Sequence, residues 1–389
     1  MLKPPATTRR DLPELVRLFL RLGLTAFGGP AAHVAMMEDE VVVRRKWLTR
    51  QQFLDLLGAT NLIPGPNSTE MAIYIGLRRA GWLGLVAAGV CFILPAALLV
   101  SLIAWAYLRY GALPQAAGIL CGVKPVVIAI ILQAIWRLGR TALKTRFLVA
   151  LGAVAVALGF LGTNPLVLLF GAGLAAAFAR RITARKPPLI LPLLSVAATQ
   201  AAPATALAAA APVALWPLFL VFLKVGALLF GSGYVLLAFL RADLVEHLHW
   251  LTEGQLLDAV AVGQVTPGPL FTTATFIGYL LAGPSGAVVA TVGIFLPAFF
   301  LVAASGPLIP RLRKSAIAAA VLDGVNVGAL ALMVVVATQL ISAAIIDRVT
   351  LVLALASAVA LLRYKVNSTW LVLIGAAVGL LTCMLTLPR

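Results

Sequence analysis

Apolar positions in this chain come in long unbroken runs, not in the alternations of a water-soluble fold. Residues from Trp82 to Tyr107 and from Val325 to Ile346 carry no charge. A helix needs about 20 apolar residues to cross hydrocarbon, so these runs predict membrane-spanning helices. The short alternating strands of a membrane barrel are absent, which leaves helices to satisfy the backbone. Polar positions gather in brief segments between the runs, predicting 10 to 13 membrane segments in an all-α integral membrane protein.

The pattern then repeats. Phe19-Leu20-Arg21-Leu22-Gly23 recurs as Phe222-Leu223-Lys224-Val225-Gly226, and Trp47-Leu48-Thr49 as Trp250-Leu251-Thr252. Gln52 and Asp55 recur as Gln255 and Asp258, and Pro64-Gly65-Pro66 as Pro267-Gly268-Pro269, at a constant offset (267 − 64 = 203). Further on, Leu94-Pro95 matches Leu296-Pro297, and Asn164 matches Asn367. The chain thus divides into a first repeat, 1–186, a linker, 187–204, and a second repeat, 205–389. Each repeat predicts a first helix, an amphipathic connection, a Pro-Gly-Pro segment and about four further spans.

The Pro-Gly-Pro segments cannot be continuous helix. Two prolines remove two N–H donors, and the glycine between them is unconstrained. Each segment should break near the bilayer midplane and restart at the second proline. Basic residues at both ends of the first segment, Arg44 to Lys46 and Arg78-Arg79, favour a re-entrant form over a single crossing. A restarted helix offers free N–H groups and a positive dipole end, which bind anions. Asn61, Asn67, Ser68 and Thr69 crowd the first break, and Gln264, Thr266, Thr272 and Thr273 the second. Gly28-Gly29-Pro30 and Gly231-Ser232-Gly233 end the first helix of each repeat.

Composition and charge sharpen this picture. Charged residues make up 11% of the chain, against about 25% in soluble domains, too few to cover a water-exposed surface. The net charge of +17 would suggest nucleic acid on a soluble protein, but the basic residues fall mostly in short loops. Loop by loop the basic side alternates, and oppositely in the two repeats. Arg78-Arg79 faces uncharged Leu280 to Gly283, and the lone Arg109 faces Arg311, Arg313 and Lys314. Arg137, Arg140, Lys144 and Arg146 face Asp347-Arg348, and Gly162-Thr163-Asn164 faces Arg363 and Lys365. Cytoplasmic loops collect Lys and Arg, so the repeats have opposite topology, the inverted plan of many secondary transporters.

Few ions remain for the membrane interior. Arg21, Lys124 and Lys224 lie in apolar runs, where cations mark an anion path or snorkel to the interface. The equivalent of Lys124 is Asn326, so any role there is asymmetric. Asp55, Glu70 and Asp258, with Asp323, are the intramembrane carboxylates, candidates for proton coupling or for pairing with Arg21 or Lys224. His33 reads as a pH-sensitive group or, as is commoner for a lone histidine near an interface, a structural one, and the run Glu38-Asp39-Glu40 to Arg44-Arg45-Lys46 as a solvated amphipathic surface. The three cysteines lie in apolar runs without metal-ligand or disulfide spacing. No cleavable signal peptide is expected. HExxH, GxSxG and Walker A patterns are missing, so an ATP-driven pump or intramembrane hydrolase has no support.

The set Phe27-Gly28-Gly29-Pro30, His33, Glu40, Trp47-Leu48-Thr49, Phe53 and Asn61 to Pro66 resembles the chromate ion transporter family. The resemblance covers both repeats, as in its long duplicated members. The second repeat departs at Gly231-Ser232-Gly233 and at Leu270-Phe271. What the resemblance implies is an inner-membrane carrier that exports chromate, with sulfate as a close analogue, and so confers chromate resistance. The candidate substrate site comprises Arg21, Gly28, Gly29, Asn61, Pro64, Gly65, Pro66, Asn67, Ser68, Thr69 and Lys124 from the first repeat. Lys224, Gly231, Gln264, Thr266, Pro267, Gly268, Pro269, Thr272 and Thr273 complete it from the second. Expected partners are chromate or sulfate and the lipid bilayer, with a homodimer as the candidate assembly, no nucleic acid and no cofactor. Uptake of sulfate or another oxyanion is the alternative carrier reading. An anion channel or lipid-phosphate scramblase is the alternative of another class.

Overall fold

The computed structural model describes residues 11–27, 29–111, 113–183, 213–230, 235–305, 315–364 and 366–386, and its regular structure there is helical. The linker, Gly28, Gly231, and the loop cations Arg311, Arg313, Lys314 and Lys365 lie outside the described residues. The first repeat runs α1 (Leu12–Thr25), α2 (Pro30–Glu38), α3 (Arg50–Thr60), α4 (Asn67–Tyr110), α5 (Pro114–Ala142), α6 (Arg146–Phe160) and α7 (Pro165–Thr183). The second runs α8 (Leu215–Leu228), α9 (Leu236–Leu240), α10 (Glu253–Val265), α11 (Thr273–Ser305), α12 (Ala316–Ala344), α13 (Arg348–Arg363) and α14 (Ser368–Thr386). Wide π turns, Asp39–Arg44 and Arg241–His247, extend α2 and α9.

The Trp-Leu-Thr motif explains where α3 and α10 begin. Thr49 and Thr252 are N-caps, each accepting from the backbone of the glutamine three residues on, Gln52 or Gln255. That glutamine's side chain accepts in return from the threonine N–H. Two orphan donors are satisfied at each start, so the helix needs no outside partner to begin.

α4 and α11 are each two helices meeting at a sharp reversal. Ala80-Gly81 and Ala282-Gly283 leave helical geometry, with φ of 61° and 63° at the glycines. Beyond each reversal the chain doubles back, so that Gly76 lies backbone to backbone against Gly84, and Gly278 against Gly286. Only glycine permits that approach.

Arg79, at the end of the first arm of α4, stacks on the Trp47 ring at 4.9 Å and pairs with Asp11 at 2.9 Å. Arg45 lies over the same ring at 5.4 Å and pairs with Glu14. The chain therefore returns at Arg79 to the side it left at Trp47, and the first Pro-Gly-Pro segment is re-entrant. The 11 residues of α3 rise about 16 Å, half the thickness of a hydrocarbon core. By the same pairings α2 runs back along α1, Glu40 meeting Arg21 and Arg45 meeting Glu14. Among the described residues, six helices are long and apolar enough to cross a membrane, and Arg146–Phe160 and Leu215–Leu228 are shorter apolar helices.

The repeats interlock. α1 packs on α4, and α8 on α11, within each repeat. By contrast α6 and α7 of the first repeat pack on α12 of the second, while α13 and α14 pack on α5 of the first. Small residues set these crossings. A Cβ on Gly122 of α5 would lie 2.7 Å from the Gly379 nitrogen of α14, and one on Gly324 of α12 would lie 2.8 Å from the Ala176 Cβ of α7. Close backbone approach is the usual basis of helix association in lipid, where apolar burial supplies no drive. α4 against α11 completes the seam.

Candidate functional site

The centre of the seam holds both breaks. α3 ends at Thr60 and α4 restarts at Asn67, after Pro66. α10 ends at Val265 and restarts through a 3-10 turn, Leu270–Thr272, after Pro269. Gly65 and Gly268 take φ of 139° and 94°, values that L side chains rarely adopt. The two breaks exchange hydrogen bonds with the opposite repeat. The Gly65 N–H donates to the Leu229 carbonyl at 2.8 Å, and the Gly268 N–H to the Ala26 carbonyl at 2.9 Å. Leu229 and Ala26 are themselves equivalent, so each break is tied to the end of the other repeat's first helix. A reciprocal pair of this kind is the mark of a two-fold relation between parts. It also occupies the glycine N–H groups. The N–H groups left without a helical carbonyl are those of the first turn, Asn67, Ser68 and Thr69.

The polar side chains divide into satisfied and unsatisfied groups. Thr266, Thr272 and Thr273 each donate to a backbone carbonyl, Val262, Pro269 and Leu270, at 2.8 to 2.9 Å. A hydroxyl has one proton, so these three can only accept further bonds here. Asn67 donates to Asn61 at 2.9 Å. Pro64 is half-buried, and Pro66, Pro267, Pro269 and Ser68 are buried. Thr69 and Glu70 are 0% exposed and Gln264 7%, yet the Thr69 hydroxyl, both Glu70 carboxylate oxygens and the Gln264 amide nitrogen have no partner. Buried polar groups are nearly always hydrogen-bonded, so this concentration at the breaks calls for an explanation.

The sequence-derived cations are held elsewhere. Arg21 pairs with Glu40, and Lys224 with Asp243 at 2.6 Å, the same bridge in each repeat. Neither bridge uses Asp55 or Asp258, which the sequence offered as candidates for proton coupling or for such pairing. Arg21 and Lys224 are 51% and 41% exposed, so both reach out from their helices. Glu40 corrects the reading of its charge run as solvated surface, because it is 5% exposed and also meets Arg45 at 3.1 Å. One carboxylate between two guanidinium groups can be buried where a lone one could not.

Asp258 pairs instead with Lys124, Oδ1 to Nζ at 3.4 Å, and its Oδ2 accepts from the Tyr107 hydroxyl at 3.0 Å. This triad joins α10 of the second repeat to α4 and α5 of the first. Its counterpart, Asp55, is half-buried and accepts from Gln51 at 3.5 Å, and Asn326 stands where a lysine would be needed. Asp323 pairs with Lys144 at 2.7 Å across the repeats. His33 is buried, with Nε2 3.0 Å from the Ala26 carbonyl and its ring edge-on to Phe92. It thus braces the carbonyl that receives Gly268. Gly29 has φ of 81° and is the N-cap of α2. Tyr107 escaped the sequence reading because a lone tyrosine in an apolar run carries no pattern. The Arg21–Glu40 bridge had a signal, since both residues recur with their charges as Lys224 and Asp243.

Comparison with known proteins adds the identity of this arrangement. A family model described as Chromate transporter matches residues 13–177 and again 216–380. The chain belongs to the chromate transporter family. A chromate transport protein of Cupriavidus metallidurans is 34% identical over 390 residues, which span 96% of each chain. One of Pseudomonas aeruginosa is 37% identical over 74% of this chain and 71% of its own. A probable chromate transport protein of Synechococcus elongatus is 32% identical over 82% of each. No solved structure matches significantly. Membership in the chromate transporter family makes the chain a multi-pass membrane transport protein and not an enzyme, and the double match of one model agrees with an internal duplication.

Proposed function

We propose that this protein carries chromate out of the cytoplasm through a site shared by the two breaks. The observation that carries the reading is the reciprocal pair of hydrogen bonds, Gly65 to Leu229 and Gly268 to Ala26, which brings both restarted helices to one seam. A tetrahedral dianion there would meet two positive helix ends, the first-turn N–H groups of Asn67, Ser68 and Thr69, and the free donors of Thr69 and Gln264. The repeats are inverted in the membrane, a reading supported by their opposed loop charges. Alternating access then follows as the rocking of one repeat against the other around a fixed site.

Electrostatics favours export. Moving one charge across the membrane is worth about 2.3 kcal/mol per 100 mV, so a dianion leaving a negative interior gains about 4.6 kcal/mol per 100 mV. Uptake would need two accompanying cations merely to cancel that charge, in a chain with few intramembrane carboxylates. Chromate over sulfate rests on the named relatives.

Gly65→Val and Gly268→Val test the site. The new Cβ would lie against the Glu70 carboxylate in the first and 2.6 Å from the Ala96 Cβ in the second. Both variants are expected to reach the membrane and to lose chromate resistance. Normal resistance in either would remove the break from the transport path.

A further inference from the structure

The two breaks are not equivalent, and the difference is chemical. The first turn after the first break holds Glu70, 0% exposed, its carboxylate lying over Gly65 with both oxygens unpartnered. The same position after the second break is Thr273, whose hydroxyl is satisfied by the Leu270 carbonyl. Asp258 has its charge compensated by Lys124 and its second oxygen bonded by Tyr107. Asp55 is half-buried and bonded within its own helix. Glu70 alone among these three carboxylates is fully buried at a break without a counter-ion. Tyr74, one turn on, is tied to Ser305 of α11. Among the described residues no side chain of α1, α3, α10 or α11 hydrogen-bonds the Glu70 carboxylate.

We propose that Glu70 carries the proton that travels with the oxyanion, so that each turnover moves one proton and one chromate in the same direction. This rests on the transport reading above. A dianion arriving beside an ionised, desolvated carboxylate would leave three negative charges in one seam, which buried sites do not tolerate without compensation. When the site opens to water Glu70 can hydrate and lose its proton. When the oxyanion enters and the site closes, the proton must be in place. By linkage the oxyanion then binds more tightly where protons are abundant, and protons bind more tightly where oxyanion is present. The second break, with no carboxylate in its first turn, keeps its positive end for the anion. Net transport then carries one negative charge outward, not two, and the membrane potential still favours export.

The test uses the full chain in proteoliposomes with the voltage clamped at zero, both sides alkaline enough that chromate stays a dianion. With the outside one pH unit more acid, wild type is expected to accumulate chromate about tenfold above equilibrium, the value for one proton per anion. Glu70→Gln is expected to show no accumulation but to keep chromate counterflow, which needs no net proton movement. Glu70→Asp, still titratable, keeps both, and Asp258→Asn keeps the gradient-driven ratio. Gradient-driven accumulation in Glu70→Gln overturns the assignment. So does loss of its counterflow, which would make Glu70 part of the anion site. Wild type that exchanges chromate without responding to the gradient overturns the coupling and leaves the transport reading intact. Wild type that moves no chromate overturns the transport reading itself.

Discussion

Arg21 and Lys224 show how one residue's role depends on its partner. Each is a cation inside an apolar run, and alone each would mark an ion path. Paired with Glu40 and Asp243 they become clasps that hold the first helix of each repeat to the segment folding back along it. The Lys124–Asp258 pair differs because it has no copy. Asp258 is 4% exposed at its side chain and Lys124 22%, so removing one partner strands a charge. Lys124→Gln is expected to destabilise the protein by about 3 kcal/mol, and Lys124→Gln with Asp258→Asn by less than half of that. Thermal unfolding in detergent measures both. An additive double mutant would contradict a direct pairing. From sequence, the Arg21–Glu40 and Lys224–Asp243 pairs show as charges repeated at one spacing, whereas the Lys124–Asp258 pairing was not legible, because its two helices lie more than a hundred residues apart.

At the scale of elements, sequence told most where backbone chemistry is local. Pro-Gly-Pro cannot be continuous helix, so the breaks were readable, whereas Thr49 and Thr252 showed only as repeated motifs and the structure reveals them as caps. The turns at Ala80-Gly81 and Ala282-Gly283 fall at the loops placed from sequence, but the tightness of the fold-back was not readable, and the opposing pairs Gly76–Gly84 and Gly278–Gly286 reveal it. The same holds for Gly122 and Gly324, whose neighbours come from the other repeat. Gly122→Leu is expected to separate α5 from α14 and to cost at least 1–3 kcal/mol, with a lower yield of folded protein. Gly162→Leu would meet no neighbour at Cβ, but its φ of 79° makes it a poor control. Gly171→Leu, with open space at Cβ and an ordinary φ, should leave yield unchanged. Equal yields of Gly122→Leu and Gly171→Leu would argue against a structural crossing.

For the whole molecule, duplication was written in the sequence and interlocking was not. Collinear motifs fix an offset, but they cannot say that α6 and α7 rest on α12 while α13 and α14 rest on α5. This exchange has a mechanical consequence. Rocking of one repeat against the other would have to carry α6 and α7 with the second repeat and α13 and α14 with the first, leaving the α4–α11 seam as the place of relative movement. The asymmetry of the polar groups falls on the same seam, with Glu70 at one break and the satisfied threonines at the other. The Lys124–Asp258–Tyr107 triad fastens one side of α10, and the equivalent place beside Asp55 lacks the lysine. A symmetric fold thereby carries unequal ends.

The central claim is that the seam moves a tetrahedral oxyanion outward. Uptake of labelled chromate into everted membrane vesicles tests it most directly, because the cytoplasmic face is then outside. Energised vesicles bearing this protein should accumulate chromate above vesicles without it, with saturable kinetics, and Gly268→Val should abolish the difference. Equal chromate content with and without the protein, under an established membrane potential, would contradict the account.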